Sequence, residues 1–194
     1  VSQDVLRWVG NEERRWSVPG ASIDFMCGGN VLGGLTTLEE KSLGAVHKSG
    51  HRPISGVLKA RPDYLQQVPD RAGFYLQEGI HIELQAMTYQ AAAGVNIIVF
   101  ATGRGGSFGH AICPIVKVTG HPETWQRMSE DMDVNASTIM EGVESIESVG
   151  KRIFDEVLAV ASGKVTKGEE LGFYNFNIWK QDPRLEALLG LNKE

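Results

Sequence analysis

The sequence predicts an α/β domain in which helices flank a mainly parallel sheet, in a Rossmann-like three-layer arrangement. The run VNIIVF at 95–100 has apolar residues on both of its faces, which is typical of a central parallel strand covered on both sides. Short apolar segments alternate with segments of helical period along the chain, and this alternation favours a parallel sheet. We find no internal repeat or long linker, so we expect one domain over residues 1–194, with a C-terminal extension over 164–194.

The elements of the first half are predicted from turn residues and helix-start signals. A short polar helix is expected over 1–20 and a strand over 22–26. The spacings Thr36–Glu39 and Thr37–Glu40 both fit a capping box, so a helix is expected to begin there and to end at Gly50. Further strands are predicted at 54–58 and 73–76.

The second half contains longer periodic segments. Helices are predicted over 81–93, 122–131 and 145–161, and the last of these carries apolar residues at close to a 3.6-residue period. Besides the run at 95–100, a short strand is predicted at 115–118. The alternation of side chains over 173–179 predicts a late strand at an edge or an interface.

Composition excludes several classes of protein. The 19 Lys and Arg residues against 24 Asp and Glu give a net charge of −5, which argues against a nucleic-acid-binding surface. No apolar stretch approaches the roughly 20 residues of a membrane span, and the N-terminus has no signal-peptide pattern. Cys27 and Cys113 are too few for a disulfide framework. We therefore expect a protein of the reducing cytoplasm, with no membrane and no nucleic acid as partner.

The segment ATGRGGSFGH at 101–110 is the first candidate site, because it follows the predicted strand at 95–100. Ligands of parallel α/β sheets collect at the carboxyl ends of the strands. Glycines let backbone amides approach an anion, and an arginine fork matches two carboxylate or phosphate oxygens. The predicted substrate-binding residues here are Thr102, Gly103, Arg104 and Gly105, and His110 is the histidine that we favour for proton transfer. The alternative is a tight polar loop in which Arg104 pairs with a neighbouring acid.

The segment GGLTTLEEKS at 33–42 is the second candidate site. A glycine pair that opens onto a helix N-terminus can bind an anion, and its predicted binding residues are Gly33, Gly34, Thr36 and Thr37. Lys41 is a candidate acid, base or charge clamp. Helix capping by the threonines and a solvated Lys41 are the alternatives. The loop at 101–110 has neither a Walker A nor a G-x-G-x-x-G motif, so no nucleotide cofactor is expected.

Several motifs in register resemble the altronate/galactarate dehydratase family, which includes a sulfolactate sulfo-lyase branch. They are GGLTTLEEKSLGAVHKSG (33–50), ATGRGGSFG (101–109), PIVKVTG (114–120), MDVNASTIMEG (132–142) and EVLAVASGKVTKGEELG (156–172). Their order is that of the C-terminal region of the family. The sequence departs from the family pattern over 24–30 and at Ala101.

The resemblance implies a carbon–oxygen lyase that dehydrates a sugar acid of the altronate or galactarate type to a 2-keto-3-deoxy acid. It also implies a divalent metal, iron or manganese, with ligands that the sequence does not identify. In this interpretation Arg104 and the glycine-loop amides grip the substrate carboxylate, Thr36 and Thr37 contact substrate hydroxyls, and Lys41 or His110 transfers protons. A sulfo-lyase subunit and a non-catalytic anion-binding or assembly domain remain the alternatives.

Family enzymes are longer than 194 residues, so the chain corresponds to their C-terminal domain. We expect it to be inactive as an isolated fragment, to act with the N-terminal domains of the same enzyme or with a partner subunit, and to form a homo-oligomer. Its expected ligand is a small acidic substrate.

Overall fold

The computed structural model describes residues 32, 34–36, 40, 43–44, 47–58, 67–77 and 83–177. The predicted elements over 1–20 and 22–26 lie outside these residues. The chain divides into two compact units, one of residues 1–62, 69–78 and 180–194 and the other of residues 63–68 and 79–179. Each unit is described by itself.

The first unit contains a pair of parallel strands. Strand β1 (Ile54–Leu58) pairs with β2 (Phe74–Gln77), and Val57 lies opposite Leu76. The predicted strands are confirmed, β1 without change and β2 displaced by one residue. Every described residue from 40 to 48 is helical, and Gly50 adopts a φ of 75°. These described residues agree with the predicted helix, and Gly50 follows it as predicted.

The second unit is built on a parallel sheet with the order β3-β4-β5. Its strands are β3 (Ile98–Thr102), β4 (Ile115–Thr119) and β5 (Val134–Asn135). The prediction of a central strand at 95–100 is wrong within the described residues. Val99 of the edge strand β3 is 48% exposed, whereas all five residues of β4 are buried. The difference in burial follows from strand pairing. Strand β4 pairs with a strand on each side, whereas β3 pairs only with β4 among the described residues.

The beginning of β3 is set by the preceding helix. Helix α1 (Glu83–Ala92) is followed by a turn in which Gly94 has a φ of 88°. The Val95 N–H then donates to the Gln90 carbonyl at 3.1 Å. Residues 95–97 therefore connect α1 to β3. As a result the strand begins three positions later than its apolar pattern predicts.

Helices cover both faces of this sheet. On one face Met87 of α1 packs with Ile98, Cys113 and Ile115. On the other face Val160 of helix α3 (Ile146–Ala161) packs with three valines, Val116, Val118 and Val134. The protein is thus an α/β protein with parallel sheets flanked by helices, and the Rossmann-like topology stays a prediction.

The remaining elements differ from expectation in four places. Helix α2 (Pro122–Met128) ends before residue 131, because the Asp131 N–H closes a turn onto the Met128 carbonyl at 2.9 Å. The strand predicted over 173–179 is wrong for its described part, since residues 173–177 form no ladder. The 3₁₀ turn Ser137–Ile139 and helix α4 (Lys167–Glu170) were not predicted.

Among the described residues, none of the helices is both long enough and apolar enough for a bilayer crossing.

Candidate functional site

The three strands of the second unit end side by side. Thr102 lies opposite Thr119, and Thr119 lies opposite Asn135. Each of these polar residues accepts a hydrogen bond from a backbone N–H two or three positions further on, from Gly105 at 3.0 Å, His121 at 3.2 Å and Ser137 at 2.9 Å. The side chains that end the strands therefore close their own turns, which fixes where each loop leaves the sheet.

Helix α2 holds the backbone of the glycine loop, which we define as residues 103–109. The hydroxyl of Thr124, a buried residue, donates to the Gly103 carbonyl at 2.6 Å. The guanidinium of Arg127 donates to the Arg104 carbonyl at 3.4 Å. Gly105 adopts a φ of 85°, which L side chains rarely adopt. Arg104, an exposed residue, is thus carried on a backbone with defined anchors.

The side chain of Lys117 also contacts the glycine loop. It occupies the middle of β4 and is 0% exposed. Its Nζ donates to the carbonyl oxygens of Gly106 at 3.3 Å and Phe108 at 3.1 Å. The aromatic rings of Phe108 and Phe173 lie 5.8 and 5.6 Å from the ammonium, within the range of cation–π attraction.

Two aspartates accompany this buried ammonium. Asp131 Oδ1 is 3.8 Å from Lys117 Nζ, and Asp131 Oδ2 accepts a hydrogen bond from the Ser107 hydroxyl at 3.2 Å. The Asp133 carboxylate accepts backbone N–H groups from Lys117 at 2.7 Å and from Lys167 at 2.8 Å. Asp133 therefore ties strand β4 to the start of α4.

Burial dominates the ionisation of this group. It lowers the pKa of Lys117, and the charges of Asp131 and Asp133 oppose that shift. It likewise raises the pKa of Asp133, against the opposing effect of the Lys167 and Lys117 N–H groups. The two shifts have one cause, because a low-dielectric surrounding disfavours the charged form of acids and bases alike.

His110 is buried as well, with 5% of its surface exposed. Its Nδ1 accepts a hydrogen bond from the Ile112 N–H at 3.4 Å, so the neutral ring carries its proton on Nε2. Nε2 has no hydrogen-bond partner within the part of the chain that the structure describes. Burial lowers the pKa of His110. The assignment of His110 to proton transfer stays a prediction.

The segment 173–177 crosses the far end of the glycine loop. The Asn175 side chain accepts the Gly109 N–H at 3.2 Å, and its carbonyl accepts the Ala111 N–H at 3.1 Å. A Cβ at Gly109 would collide with the Phe173 carbonyl. This segment was predicted as a strand, and the structure shows it instead as an irregular segment whose polar groups fasten the loop.

The second predicted loop belongs to the first unit. Thr36 donates its backbone N–H and its hydroxyl to the Glu40 carboxylate, at 2.9 and 2.7 Å. Gly34 has a φ of 98°. Gly33, Thr37 and Lys41 lie outside the described residues. The contacts of Thr36 and Thr37 with substrate hydroxyls therefore stay predictions.

Lys117, Asp131 and Asp133 were not singled out from the sequence. A signal was present in the strand IVKVT, where one lysine interrupts a run of apolar and β-branched residues. A lysine inside a buried strand needs partners, and the segment EDMDV supplies Asp131 and Asp133, 14 and 16 residues later.

The implied metal finds no cluster of ligands in the described residues. Within 32–58 (as far as described), 67–77 and 83–177, no group of three or more His, Cys, Asp and Glu side chains lies close enough to hold an ion. The described residues therefore do not identify the ligands of the metal that the resemblance implies.

Comparison with known proteins matches residues 1–184 to the family described as D-galactarate/altronate dehydratase, C-terminal. The chain is 37% identical over 148 residues to galactarate dehydratase (L-threo-forming) of Escherichia coli, which covers 76% of this chain and 27% of that protein. It is 35% identical over 152 residues to altronate dehydratase of Bacillus subtilis, covering 78% and 29%. It is 33% identical over 149 residues to (2R)-sulfolactate sulfo-lyase subunit beta of Chromohalobacter salexigens, covering 76% and 37%. The matches thus span between about a quarter and two fifths of the length of these relatives.

Proposed function

Because the chain belongs to the D-galactarate/altronate dehydratase C-terminal family, we propose that it is the C-terminal part of a hydro-lyase. The reaction is the dehydration of an altronate- or galactarate-type sugar acid to a 2-keto-3-deoxy acid. The family match over residues 1–184 is the observation that carries this proposal, since it extends over both candidate loops.

The chemistry of dehydration gives the glycine loop its role. Removal of the proton next to a carboxylate builds negative charge on the carboxylate oxygens, and donors fixed in advance stabilise that charge. Arg104 provides a guanidinium for those oxygens, and Thr102, Gly103 and Gly105 shape the loop that carries it. This assignment is supported by the position of the loop at the carboxyl edge of a parallel sheet.

The other roles follow from residue chemistry. Thr36 and Thr37, with Gly33 and Gly34, contact substrate hydroxyls, and Lys41 or His110 moves the proton or assists the departing hydroxyl. A divalent metal, iron or manganese, stays part of the proposal as a group that would stabilise charge when bound. We propose in addition a cytoplasmic location and a homo-oligomer that works with N-terminal domains or a partner subunit.

Substitution of Arg104 tests the proposal in the full-length gene product. The protein is assayed on galactarate, altronate and (2R)-sulfolactate, with iron(II) or manganese(II) under reducing conditions. Arg104→Ala should lower turnover about 100-fold or more, the usual effect of losing a charge-stabilising donor. Lys151→Ala is the control, because Lys151 pairs with Asp155 on the surface of α3 and lies outside the loop.

Each outcome has a definite meaning. Near-normal turnover by Arg104→Ala would reject the carboxylate grip. A wild-type protein that turns over none of the three acids would reject the lyase function. Turnover of (2R)-sulfolactate alone would establish the second candidate, a sulfo-lyase subunit, which the similarity to such a subunit favours.

A further inference from the structure

We propose that Lys117 is a positioning residue for the glycine loop, whose buried ammonium holds the Gly106 and Phe108 carbonyls inward and so sets the shape in which the loop meets an anion. The effect on substrate rests on the proposed function above, whereas the effect on loop shape does not depend on it.

The position of Lys117 in the sheet explains how one side chain reaches two loop carbonyls. Lys117 lies opposite Phe100 in the β3–β4 ladder, two residues before the strand ends. Ile115, Lys117 and Thr119 share one face of β4, because side chains alternate along a strand. The aliphatic part of the Lys117 side chain therefore reaches the loop that follows β3. Its ammonium donates to the Gly106 and Phe108 carbonyls.

Holding these carbonyls also orients backbone N–H groups. Cis peptide bonds are absent from the described residues, and in a trans peptide the N–H points opposite to the carbonyl. With the Gly106 carbonyl directed to Lys117, the Ser107 N–H is directed away from it. The Ser107 hydroxyl is meanwhile engaged by Asp131. Lys117 thus turns a backbone donor outward from the loop that carries Arg104.

The ammonium of Lys117 has close neighbours on several sides. The rings of Phe108 and Phe173 flank Nζ, and a Cβ placed at Gly168 would lie 3.7 Å from it. The same Cβ would be 3.2 Å from the Phe108 carbonyl. A compact ammonium fits this space with hydrogen bonds to two loop carbonyls, whereas a guanidinium is larger and planar.

Hydrogen exchange of the full-length gene product tests the effect on loop shape. Lys117→Met keeps the length and apolar volume of the side chain but removes its donors. It should raise the exchange rates of the Gly109 and Ala111 amides, which donate to Asn175, roughly tenfold or more, beyond any change in the strands. Lys151→Met removes an exposed lysine of α3 and should leave these rates unchanged. Unchanged rates in a folded Lys117→Met protein would overturn the proposal.

A measurement on the wild type covers the case in which Lys117→Met does not fold. With ¹⁵N-labelled lysine, a buried and hydrogen-bonded ammonium should give a slowly exchanging Hζ resonance with cross-peaks to ring protons of Phe108 and Phe173. Fast exchange of every lysine ammonium with water would equally overturn the proposal.

A double-mutant cycle separates positioning from general stability. Dissociation constants for galactarate are measured for wild type, Arg104→Ala, Lys117→Met and the double variant. If Lys117 acts through the loop, its substitution should weaken binding several-fold beside Arg104 and much less in the Arg104→Ala background. Equal losses in both backgrounds would overturn the link to Arg104. If Arg104→Ala bound galactarate as tightly as wild type, the proposed contact between Arg104 and the substrate carboxylate would be refuted. The role of Lys117 in loop shape would then be decided by the hydrogen-exchange result.

Discussion

His110 illustrates what burial does to a single titratable side chain. Burial lowers its pKa below the ordinary value of 6.5, so between the two values the unfolded chain binds a proton that the folded protein does not. Stability from this group is present above pH 6.5 and is lost as the pH falls towards the lowered value. We expect His110→Gln to reduce the loss of melting temperature between pH 7 and pH 5.

The measurement is a series of thermal unfolding curves for both proteins across that range. His51→Gln is the control, because His51 is exposed. If wild type and His110→Gln lost equal stability on acidification, the buried imidazole would not be the group responsible.

Gly109 gives a second prediction for one residue. A side chain there collides with the Phe173 carbonyl, and backbone cannot yield as a flexible side chain can. Gly109→Ala should lower the free energy of unfolding by about 1–3 kcal/mol, the usual cost of overpacking. Gly150→Ala makes the same change inside α3, where a Cβ meets open space, and should stabilise by about 0.5–1 kcal/mol. Denaturant unfolding of both variants checks the contrast, and equal effects would contradict it.

Among the elements, the short helix α4 depends on the N-cap residue that precedes it. Thr166 is buried and forms a complete capping box with Glu169: its backbone N–H donates to the carboxylate at 2.9 Å, and its hydroxyl accepts the Glu169 N–H. Thr166→Ala should cost about 1 kcal/mol of stability. Thr166→Ser retains the hydroxyl and should recover most of that loss in the same unfolding assay. A serine variant as unstable as the alanine variant would show that the methyl group, and not the cap, is responsible.

Elements with a local signal were predictable from the sequence. The extent of β1, the end of α3 at Ala161 and the glycine that follows α1 depend on neighbouring residues. Strand order does not, because it is decided by pairing between distant segments. The central place of β4 and the non-ladder contacts of 173–177 are of that kind.

The candidate site divides in the same way. The position of Arg104 after a strand of a parallel sheet was predictable from the apolar run and the glycines that follow it. The buried Lys117 was not, because its partners come from three further segments: the glycine loop, the acidic residues 131–133 and the segment beginning at Phe173. The local pattern shows a charged residue within an apolar strand. It does not show which groups form hydrogen bonds and ion pairs with that residue.

For the whole molecule, the length of the relatives leads to a prediction about activity. The chain spans 27 to 37% of the length of the three relatives compared above. We expect the isolated 194-residue chain to show no turnover of galactarate or altronate with iron(II) or manganese(II), and the full-length gene product to show it. A coupled assay for the 2-keto acid measures both. Turnover by the isolated chain would establish that it holds a complete active site.

The lysine in β4 also bears on how the chain avoids misfolding. The valines on the opposite face of β4 pack against α3. If β4 paired with its neighbours one residue out of register, the Lys117 ammonium would be buried in this apolar layer between sheet and helix. The native alignment is the one in which the charge meets carbonyls and carboxylates. A residue placed to shape a loop thereby also penalises the nearest wrong alignment of the sheet.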